Sequence, residues 1–354
     1  MKFVHIADMH FDSPFTTLNK KELGNLRRIE QRRILKKIIE YIKENNIEYF
    51  FIAGDLYENE YIKQSTIEYI NNLFKEISNT KIFIVPGNHD PKIKNSYYEN
   101  FKWNNNVYIF GAEPEKIEEK NICIYGYGFD NFYMKNNKLE KIQNIDKNKI
   151  NILITHCNLE GQKNNELEYN PISQKELENL NMDYIALGHI HKKAINNNIV
   201  YPGSPMSMGF DELGEHGMIV GEINEENKKL NIEFIKLDEK EFVEKEINIS
   251  EIKTEEELIE KINELNLEEN KYYKIILIGN RNFEINLYNL EKNILNKNII
   301  KLKNKTKLEI NFEELKNNNT LKGIFVKNML EKINNNSEEK DLILEALELG
   351  INLF

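Results

Sequence analysis

Short segments that carry histidine and aspartate recur along the first 191 residues, each at the end of an apolar, β-like run. Neutral imidazole, carboxylate and amide oxygen are the groups that hold pairs of divalent cations in proteins. Such a pair activates water and neutralises a phosphate, so these residue types predict a two-metal phosphoesterase site. The segments are Asp8-Met9-His10, Gly54-Asp55, Gly87-Asn88-His89-Asp90, Thr155-His156 and Gly188-His189-Ile190-His191.

The spacing within these segments adds a geometric argument. Asp8 and His10 are two residues apart, so on an extended segment both side chains point to one side and can grip one cation. Asp55 follows an apolar run at the carboxyl end of a predicted strand, where α/β folds place ligands, and one carboxylate can bridge two metals. The turn at 87–90 combines an amide oxygen, an imidazole and a carboxylate that can orient the imidazole.

The elements that must position these segments are apolar, β-branched runs that alternate with helical patterns, which is typical of an α/β protein. Helices are predicted near 20–45, 62–77 and 173–180, and many strands with few helices in the second half indicate two packed sheets with helices outside. An apolar stripe predicts that the first helix covers a sheet; its residues are Leu26, Ile29, Leu35, Ile38, Ile39 and Ile42. The predicted strands are 3–7, 49–53, 81–85, 107–110, 122–126, 150–155, 184–187, 199–201, 217–223 and 230–237.

A second module is predicted beyond residue 237, where the histidine segments stop and acidic helices dominate. The pattern predicts strands at 241–249, 271–279 and 299–303, helices at 254–265 and 287–295, and two final helices at 321–333 and 338–349. The expected organisation is therefore a metal-bearing domain at 1–237, a small α/β domain at 238–312 and a C-terminal helical segment at 313–354.

Composition narrows the classes of protein. A net charge of -10 argues against a protein that coats nucleic acid through bulk charge, although it does not exclude a nuclease. No run approaches the roughly 20 apolar residues of a membrane span, and the start of the chain does not read as a signal peptide, so we expect a cytoplasmic protein without a membrane partner. The two cysteines, Cys123 and Cys157, predict neither a disulfide framework nor a structural zinc site.

The order of the motifs D-M-H, G-D-L-Y, G-N-H-D, T-H and G-H-I-H resembles the calcineurin-like metallophosphoesterases over about residues 1–235. His5 in H-I-A-D-M-H-F-D and the Y-P-G-S-P segment after the last histidine are similar to the SbcD-like branch of DNA double-strand-break repair nucleases. The resemblance implies a two-sheet sandwich flanked by helices, followed by a small α/β capping domain that guides DNA and by C-terminal helices.

The resemblance also implies roles for single residues. His89 would protonate or stabilise the leaving oxygen and Asp90 would orient it; an alcohol leaving group needs a proton, and His89 is not required as a ligand. Two Mn²⁺ ions are the implied cofactors, although other divalent cations fit the same donors. The implied ligands are Asp8, His10 and His191 for the first metal and Asn88, His156 and His189 for the second, with Asp55 bridging.

Several residues allow two interpretations. His5 either contacts the substrate phosphate or supports the ligand residues from behind, or it is a hydrogen-bonded core histidine. The basic residues of the first helix, among them Arg28 and Arg32, form either a track for the phosphate backbone of the substrate or a solvated face. Glu58 departs from relatives that carry aspartate or histidine there, and because an ionised carboxylate cannot donate, its effect on exonuclease action stays open.

The C-terminal helices also allow two interpretations, because each carries an apolar face. These faces either pack within their own domain or, as the resemblance implies, dock on the coiled coil of an SMC-like ATPase of the SbcC-like or YhaN-like kind. The resemblance further implies a homodimer formed through helices of the phosphoesterase domain.

Together these features predict a manganese-dependent DNA phosphodiesterase, the nuclease subunit of a repair complex, with double-strand exonuclease and single-strand endonuclease activity. A metal-bridging hydroxide would attack the phosphodiester in line. One alternative is an enzyme for nucleotides or other small phosphoesters. The other is a weakly active structural subunit that binds an ATPase and DNA ends.

Overall fold

The computed structural model describes residues 1–18, 21–159, 169–309, 315–335 and 339–351 of the chain. Contacts divide the chain into two compact units. The first comprises Met1–Glu244 with Leu267–Lys274, and the second comprises Lys245–Asn266 with Ile275–Phe354.

Twelve strands of the first unit form two six-stranded sheets. They are β1 (Lys2–Ile6), β2 (Tyr49–Ala53), β3 (Lys81–Val85), β4 (Val107–Ile109), β5 (Glu115–Glu119), β6 (Ile122–Tyr127), β7 (Ile150–His156), β8 (Tyr184–Gly188), β9 (Ala194–Asn196), β10 (Ile199–Tyr201), β11 (Gly217–Ile223) and β12 (Leu230–Lys236). The strand orders are β12-β11-β1-β2-β3-β4 and β5-β6-β7-β8-β10-β9.

The strands that precede the chemical segments are parallel within each sheet. In the first sheet, β1 pairs with β2 and β2 with β3, so their carboxyl ends meet at one edge. In the second sheet, β7 pairs with β8 in the same way, and His156 lies opposite Gly188. This arrangement gathers the loops that follow five strands at the carboxyl edges of the sheets.

The core lies between the two sheets, which confirms the predicted sandwich. Strands such as β2 and β7 are buried along their whole length, as expected for parallel strands covered on both faces. Large side chains from both sheets fill this layer, among them Phe3, Phe51, Phe83, Ile124, Ile152, Tyr184 and Ile219.

Four α-helices accompany the sheets in the described part of the first unit. They are α1 (Lys21–Glu44), α2 (Gln64–Glu76), α3 (Tyr97–Asn100) and α4 (Gln174–Asn179), with short 3-10 turns at Thr16–Leu18 and Leu139–Lys141. A capping box at Ser173 and Glu176 begins α4, because each residue satisfies a backbone N–H of the other.

The apolar stripe predicted on α1 holds only in its C-terminal half. Leu35 and Ile38 are buried, whereas Leu26 and Ile29 are about half exposed, at 51% and 46%. The N-terminal half instead buries Leu23, Arg27 and Gln31, which follow one another at helical spacing. A hydrophobic pattern cannot reveal a face whose buried residues are polar, so the prediction for Leu26 and Ile29 is wrong.

Arg27 is the most buried of the basic residues on α1. One terminal nitrogen donates to the carbonyl of Ser207 at 2.7 Å and approaches Asp238 at 3.4 Å, and the other donates to Glu30 at 2.5 Å. Its side chain has no exposed surface. Arg27 therefore belongs neither to a solvated face nor to a track that could meet a phosphate backbone.

A second, smaller set of elements follows residue 240. They are β13 (Glu241–Asn248), α5 (Glu255–Asn263), β14 (Lys271–Ile278), β15 (Asn280–Arg281), α6 (Leu287–Asn293), β16 (Ile299–Asn304), β17 (Lys307–Leu308), α7 (Leu321–Asn335) and α8 (Lys340–Ile351). A three-stranded sheet has the order β13-β14-β16, and β15 pairs with β17. Thr254 caps α5 by accepting from the Glu257 backbone N–H, and acidic residues fill the first turn, which suits the positive helix end.

The two C-terminal helices pack against each other. Val326, Leu347 and Ile351 are buried between them and form a small core of the second unit. Other apolar side chains of the same helices stay exposed, namely Leu321, Ile324, Leu342 and Leu349. Packing within the helical segment therefore uses one part of the apolar residues and leaves another part uncovered.

All ten strands predicted within the first 237 residues are present, but β5 and β9 were not predicted. Both lie at the edges of the second sheet and are largely solvated, so they lack an apolar run. Cys123 and Cys157 are buried and unbridged. Among the described helices, none has the length and apolar character needed to cross a membrane.

Candidate metal centre

The seven predicted ligands come from the carboxyl ends of five strands. Asp8 and His10 follow β1, Asp55 follows β2, and Asn88 follows β3. His156 ends β7, and His189 and His191 follow β8. Backbone bonds tie the first two loops together, since the Asp8 N–H donates to the Gly54 carbonyl at 3.1 Å and the His10 N–H to the Asp55 carbonyl at 2.9 Å.

Asp55 lies between two groups of ligand atoms. Its Oδ2 is 3.7 Å from Nε2 of His10 and 3.3 Å from Nε2 of His156. Its Oδ1 accepts the backbone N–H of His89 at 2.8 Å, which fixes the carboxylate. The side chain is buried. Because His10 follows β1 and His156 ends β7, this one carboxylate faces histidines from both sheets.

The first group of ligand atoms surrounds His10. Its Nε2 is 3.1 Å from Nε2 of His191, so two ring nitrogens face each other. Asp8 completes the group, and single ligand atoms of the three residues lie within 4.8 Å of one another. Facing ring nitrogens beside a carboxylate are a donor set that suits a divalent cation.

The second group surrounds Asn88. Its Oδ1 is 3.0 Å from Nε2 of His156 and 3.2 Å from Nδ1 of His189. The ligand atoms of Asp8, Asp55 and His156 also lie within 4.8 Å of one another. An amide oxygen, two imidazoles and a bridging carboxylate form a second donor set next to the first.

The outer nitrogens of three of these rings have hydrogen-bond partners. Nδ1 of His10 contacts Glu58 at 2.8 Å, Nδ1 of His191 contacts Glu212 at 2.5 Å, and Nδ1 of His156 contacts the Ala53 carbonyl at 2.9 Å. Because these oxygens accept, Nδ1 of each ring donates its proton, and Nε2 is the nitrogen that faces the site and could hold a cation once it is deprotonated. The donor set therefore fits a pair of divalent cations.

Sequence reasoning assigned no role to Glu212 and left Glu58 as a departure of unknown effect. Both act as partners of histidines that are distant along the chain. Glu212 lies in the segment F-D-E-L-G-E-H-G-M, and nothing in the spacing of that segment points to His191.

The buried carboxylates make the site strongly negative. Burial opposes the charged ring of His156, but Asp55 and Asp8 outweigh it and raise its pKa to about 9. In the same way, burial opposes the charge on His191, while Glu212 and Asp8 raise its pKa to about 9. Protons and metal ions compete for these nitrogens, so cations that neutralise the carboxylates would bind with release of protons.

His89 has a different carboxylate partner from the one expected. Its Nδ1 lies 2.9 Å from Glu58, not on Asp90. Burial opposes its charged form, but the hydrogen bond with Glu58 and the charge of Asp55 raise the pKa of His89 to about 9. The side chain is 46% exposed, so among the histidines of the cluster it is the one that faces solvent most.

Asp90 holds the backbone of the ligand loops instead. It accepts the N–H groups of Asp55 at 3.0 Å, Leu56 at 2.6 Å and Gly87 at 2.6 Å, together with the Tyr98 hydroxyl at 2.6 Å. Burial and the nearby Asp55 raise the pKa of Asp90 to about 7. The expectation that Asp90 orients His89 directly is corrected, because its oxygens are engaged by these donors.

His5 lies inside the core. It has no exposed surface, and its Nδ1 is 2.9 Å from the Tyr184 hydroxyl. Burial lowers the pKa of His5 to about 3, so the ring is neutral. A substrate phosphate has no access to this ring, and the interpretation as a core histidine replaces the predicted substrate contact.

Arg28 and Arg32 are not brought into the cluster of ligands. Arg28 donates to the Ser13 carbonyl at 3.1 Å and to Asn25 at 2.5 Å. Arg32 donates to Asp12 at 2.9 Å and to the Thr66 hydroxyl at 2.8 Å. Both guanidinium groups therefore hold loops that adjoin α1, which weakens their prediction as a phosphate track.

The backbone of the ligand loops adopts strained conformations. Asp8, His10 and Asp55 have φ values of 55°, 47° and 51°, in the left-handed region that few non-glycine residues occupy. Gln31 of α1 supports one loop by donating to the carbonyls of Met9 at 3.0 Å and His10 at 2.7 Å. Strain of this kind persists where surrounding contacts hold it, and it clusters at functional sites.

Gly54→Ala is expected to disrupt the site, because Gly54 has a φ of 91° and a Cβ there would overlap the ring of His156. The positive φ and the displaced ring should cost about 1–3 kcal/mol of unfolding free energy. Urea unfolding measures the loss, and metal content measures the effect on the ligands. Gly214→Ala is the control, since it also has a positive φ but nothing lies within 4 Å of its added Cβ. Equal metal content in both variants would contradict the steric argument.

A groove opens beside the metal centre within the first unit. Its volume is about 770 Å³, and His189 and His191 line one part of it. Both basic and acidic residues line the groove, among them Lys192, Lys193 and Asp211. The volume falls in the range of small-ligand sites, so the groove can accept an organic group attached to a phosphate at the centre.

This sandwich, with histidine, carboxylate and amide ligands at its strand ends, is that of a metal-dependent phosphoesterase. The family model for calcineurin-like phosphoesterases matches residues 1–193. The chain belongs to the calcineurin-like phosphoesterase family.

Two curated relatives extend the comparison. The SbcD component of the SbcCD nuclease of Staphylococcus epidermidis is 31% identical over 275 residues, which cover 67% of this chain and 70% of the relative. "Uncharacterized metallophosphoesterase YhaO" of Bacillus subtilis is 25% identical over 231 residues, which cover 61% of this chain and 56% of that relative. The similarity therefore spans a little over half of the second relative's length.

Proposed function

We propose that this chain is a manganese-dependent DNA phosphodiesterase, with double-strand exonuclease and single-strand endonuclease activity, that acts as the nuclease subunit of a repair complex. The observation that carries the proposal is the convergence of the seven predicted ligand residues on two groups of atoms beside Asp55. Similarity to a component of a nuclease supports DNA as the substrate class.

Each of these residues has its own role in the proposed mechanism. Asp8, His10 and His191 would hold one Mn²⁺, Asn88, His156 and His189 would hold the other, and Asp55 would bridge them. When bound, the pair supplies Lewis acidity that activates water and neutralises the phosphate. His89, exposed beside this centre, gives a proton to the leaving oxygen, and Asp90 keeps the strand-end loops in place.

Metal removal is expected to lower the melting temperature of the protein, because cations that bind only the folded state stabilise that state. At about a hundred times the dissociation constant this linkage contributes about 2.7 kcal/mol, which corresponds to roughly 5–10 °C for a domain of this size. Thermal unfolding after EDTA treatment, and again after Mn²⁺ is restored, measures the shift. A melting temperature indifferent to both treatments would argue against a resident metal pair.

The nuclease proposal is tested with purified protein and Mn²⁺ on linear double-stranded DNA, on single-stranded DNA and on bis(p-nitrophenyl) phosphate. We expect cleavage of all three substrates and no cleavage with EDTA. If DNA and the small ester both stay intact while the protein binds DNA ends, a structural subunit is the better description.

A second candidate function is hydrolysis of nucleotides or other small phosphoesters. It is favoured by the groove of about 770 Å³ beside His189 and His191, and by the engagement of Arg28 and Arg32 in internal hydrogen bonds. Cleavage of the small ester without degradation of either DNA substrate would select this function.

The proposed partner is an SMC-like coiled-coil ATPase, SbcC-like or YhaN-like, bound by the C-terminal helices. The support is the set of exposed apolar side chains on α7 and α8, two of which are Leu321 and Leu342 at 76% and 65% exposure. Co-purification of the ATPase with the native chain, and its loss when both leucines are changed to aspartate, tests the partner. Retention of the complex in that variant would place the contact elsewhere.

A further inference from the structure

The groove segment, residues 204–216, lies between β10 and β11. The structure describes all of these residues, and they form neither helix nor strand. Residues 210–216 line the groove beside the candidate centre, and Glu212 contacts Nδ1 of His191 at 2.5 Å. Because the hydrogen bonds of a helix or a sheet do not hold the groove segment, its conformation depends on contacts with the rest of the first unit.

Ser207 anchors the groove segment to two buried charged residues. Its backbone N–H donates to Oδ2 of Asp238 at 2.8 Å, and its carbonyl accepts from the guanidinium of Arg27 at 2.7 Å. The same Arg27 nitrogen lies 3.4 Å from Oδ2 of Asp238. Only 0% of Arg27 and 5% of Asp238 is exposed, so water does not compete for these contacts.

Hydrogen bonds connect this anchor to Glu212. The Ser207 hydroxyl donates to the carbonyl of Glu212 at 2.9 Å, and the Met208 N–H donates to the carboxylate of Glu212 at 3.0 Å. At the other end of the segment, Nε2 of His216 lies 2.9 Å from the same carbonyl. Glu212 is therefore held from both sides, and its other carboxylate oxygen reaches the ring of His191.

Two aromatic rings of the first unit lie over the guanidinium of Arg27. Its central carbon is 5.4 Å from the ring centroid of Phe242 and 5.9 Å from that of Tyr272, distances at which a ring attracts a cation. Phe242 also contacts Phe210 of the groove segment edge to face, with centroids 4.9 Å apart. The groove segment thus has a second, apolar contact with the surroundings of Arg27.

We infer that Arg27 and Asp238 are positioning residues that hold the groove segment so that Glu212 meets His191, and that they thereby set the affinity for one metal of the pair. The inference rests on the proposed metal pair. Hydrogen-bond partners of metal-binding histidines change metal affinity by about 10- to 100-fold. Because Arg27 reaches the ring of His191 only through Ser207 and Glu212, its effect should fall on the cation that His191 holds and not on the other cation.

Arg27→Lys tests the inference, because lysine keeps the positive charge but is a point donor instead of a planar fork. Calorimetric titration of the metal-free protein with Mn²⁺ measures the two affinities. We expect Arg27→Lys to lower one affinity by about 10-fold, the lower end of the range for histidine partners, and to leave the other unchanged. Arg33→Lys is the matched control, since Arg33 is an exposed arginine of the same helix, and it should leave both affinities unchanged.

Glu212→Ala identifies the affinity that depends on the contact with His191. The double variant Arg27→Lys, Glu212→Ala should lose no more affinity than Glu212→Ala alone, because both changes act through one contact. Losses that add in the double variant would show that Arg27 acts by another route, and they would overturn the inference.

Asp238→Asn keeps the test decisive if Arg27→Lys does not fold. Asparagine has nearly the shape of aspartate but lacks the charge that faces Arg27 and accepts the Ser207 N–H. It should lower the same affinity as Glu212→Ala and leave the other unchanged.

A measurement without metal separates positioning from a general loss of stability. In the metal-free protein, Arg27→Lys should speed the cuts of a glutamate-specific protease after Glu212 and Glu215 in the groove segment. Cuts after Glu60 and Glu225, which are exposed outside the segment, should keep their rate. Equal acceleration at all four sites would make Arg27 a residue of general stability and would overturn the inference.

The wild-type titration distinguishes failure of the inference from failure of the function on which it rests. If the wild type binds fewer than two Mn²⁺, the proposed metal pair fails and the inference fails with it. If the wild type binds two Mn²⁺ and both affinities persist in Arg27→Lys and Asp238→Asn, the inference alone is overturned.

Discussion

Asp55→Ala is expected to abolish phosphodiester hydrolysis, with a loss of more than about 10⁴-fold in kcat/KM. The reason is that Asp55 stands between both ligand groups, with Oδ2 at 3.7 Å from Nε2 of His10 and at 3.3 Å from Nε2 of His156. Loss of the shared ligand should release both cations and remove the activation of water that they supply. Metal content after gel filtration and steady-state hydrolysis of bis(p-nitrophenyl) phosphate measure the two effects.

The control for this variant is Asp146→Ala. Asp146 lies in the loop before β7, at the opposite end of that strand from His156, and its carboxylate accepts the Asn148 backbone N–H. It should retain both metals and full activity. An Asp55→Ala protein that still carries two metals per chain would contradict the bridging position proposed for this carboxylate.

His89→Ala is expected to lower kcat for DNA by about 10²- to 10⁴-fold while both metals stay bound, because the change removes a proton donor rather than a ligand. Its ring contacts Glu58 and is the most exposed of the histidine cluster. Nuclease assays on linear DNA, with metal analysis of the same preparation, measure the two quantities separately.

The metal content decides what a loss of activity in His89→Ala means. Loss of cleavage with both metals retained supports the proton donor. Loss of metal together with cleavage would instead make His89 part of the metal site, as its membership in a group with His10 and Glu58 would allow. Unchanged cleavage of DNA would remove His89 from the mechanism.

Much of the first unit could be predicted from local sequence. The strands preceding the chemical segments are short apolar runs. Parallel strands covered on both faces need such runs, so the positions of these strands could be read from the local run of apolar residues. Edge strands such as β5 and β9 could not be predicted in this way, because they are largely solvated and carry no apolar run. The exposed positions on α1 escaped it because the helix buries Arg27 and Gln31 in place of leucines.

The sequence by itself determined which side chains end the strands, because ligand residues and strand signals lie within the same few positions. Only the tertiary structure decided the partners of those side chains. Glu58 lies 48 residues from His10, and Glu212 lies 21 residues from His191. Such pairs depend on which strands are neighbours and how the loops turn, which local pattern does not encode. The same packing buried His5 against Tyr184. It also placed Asp90 where it accepts backbone N–H groups instead of contacting the ring of His89.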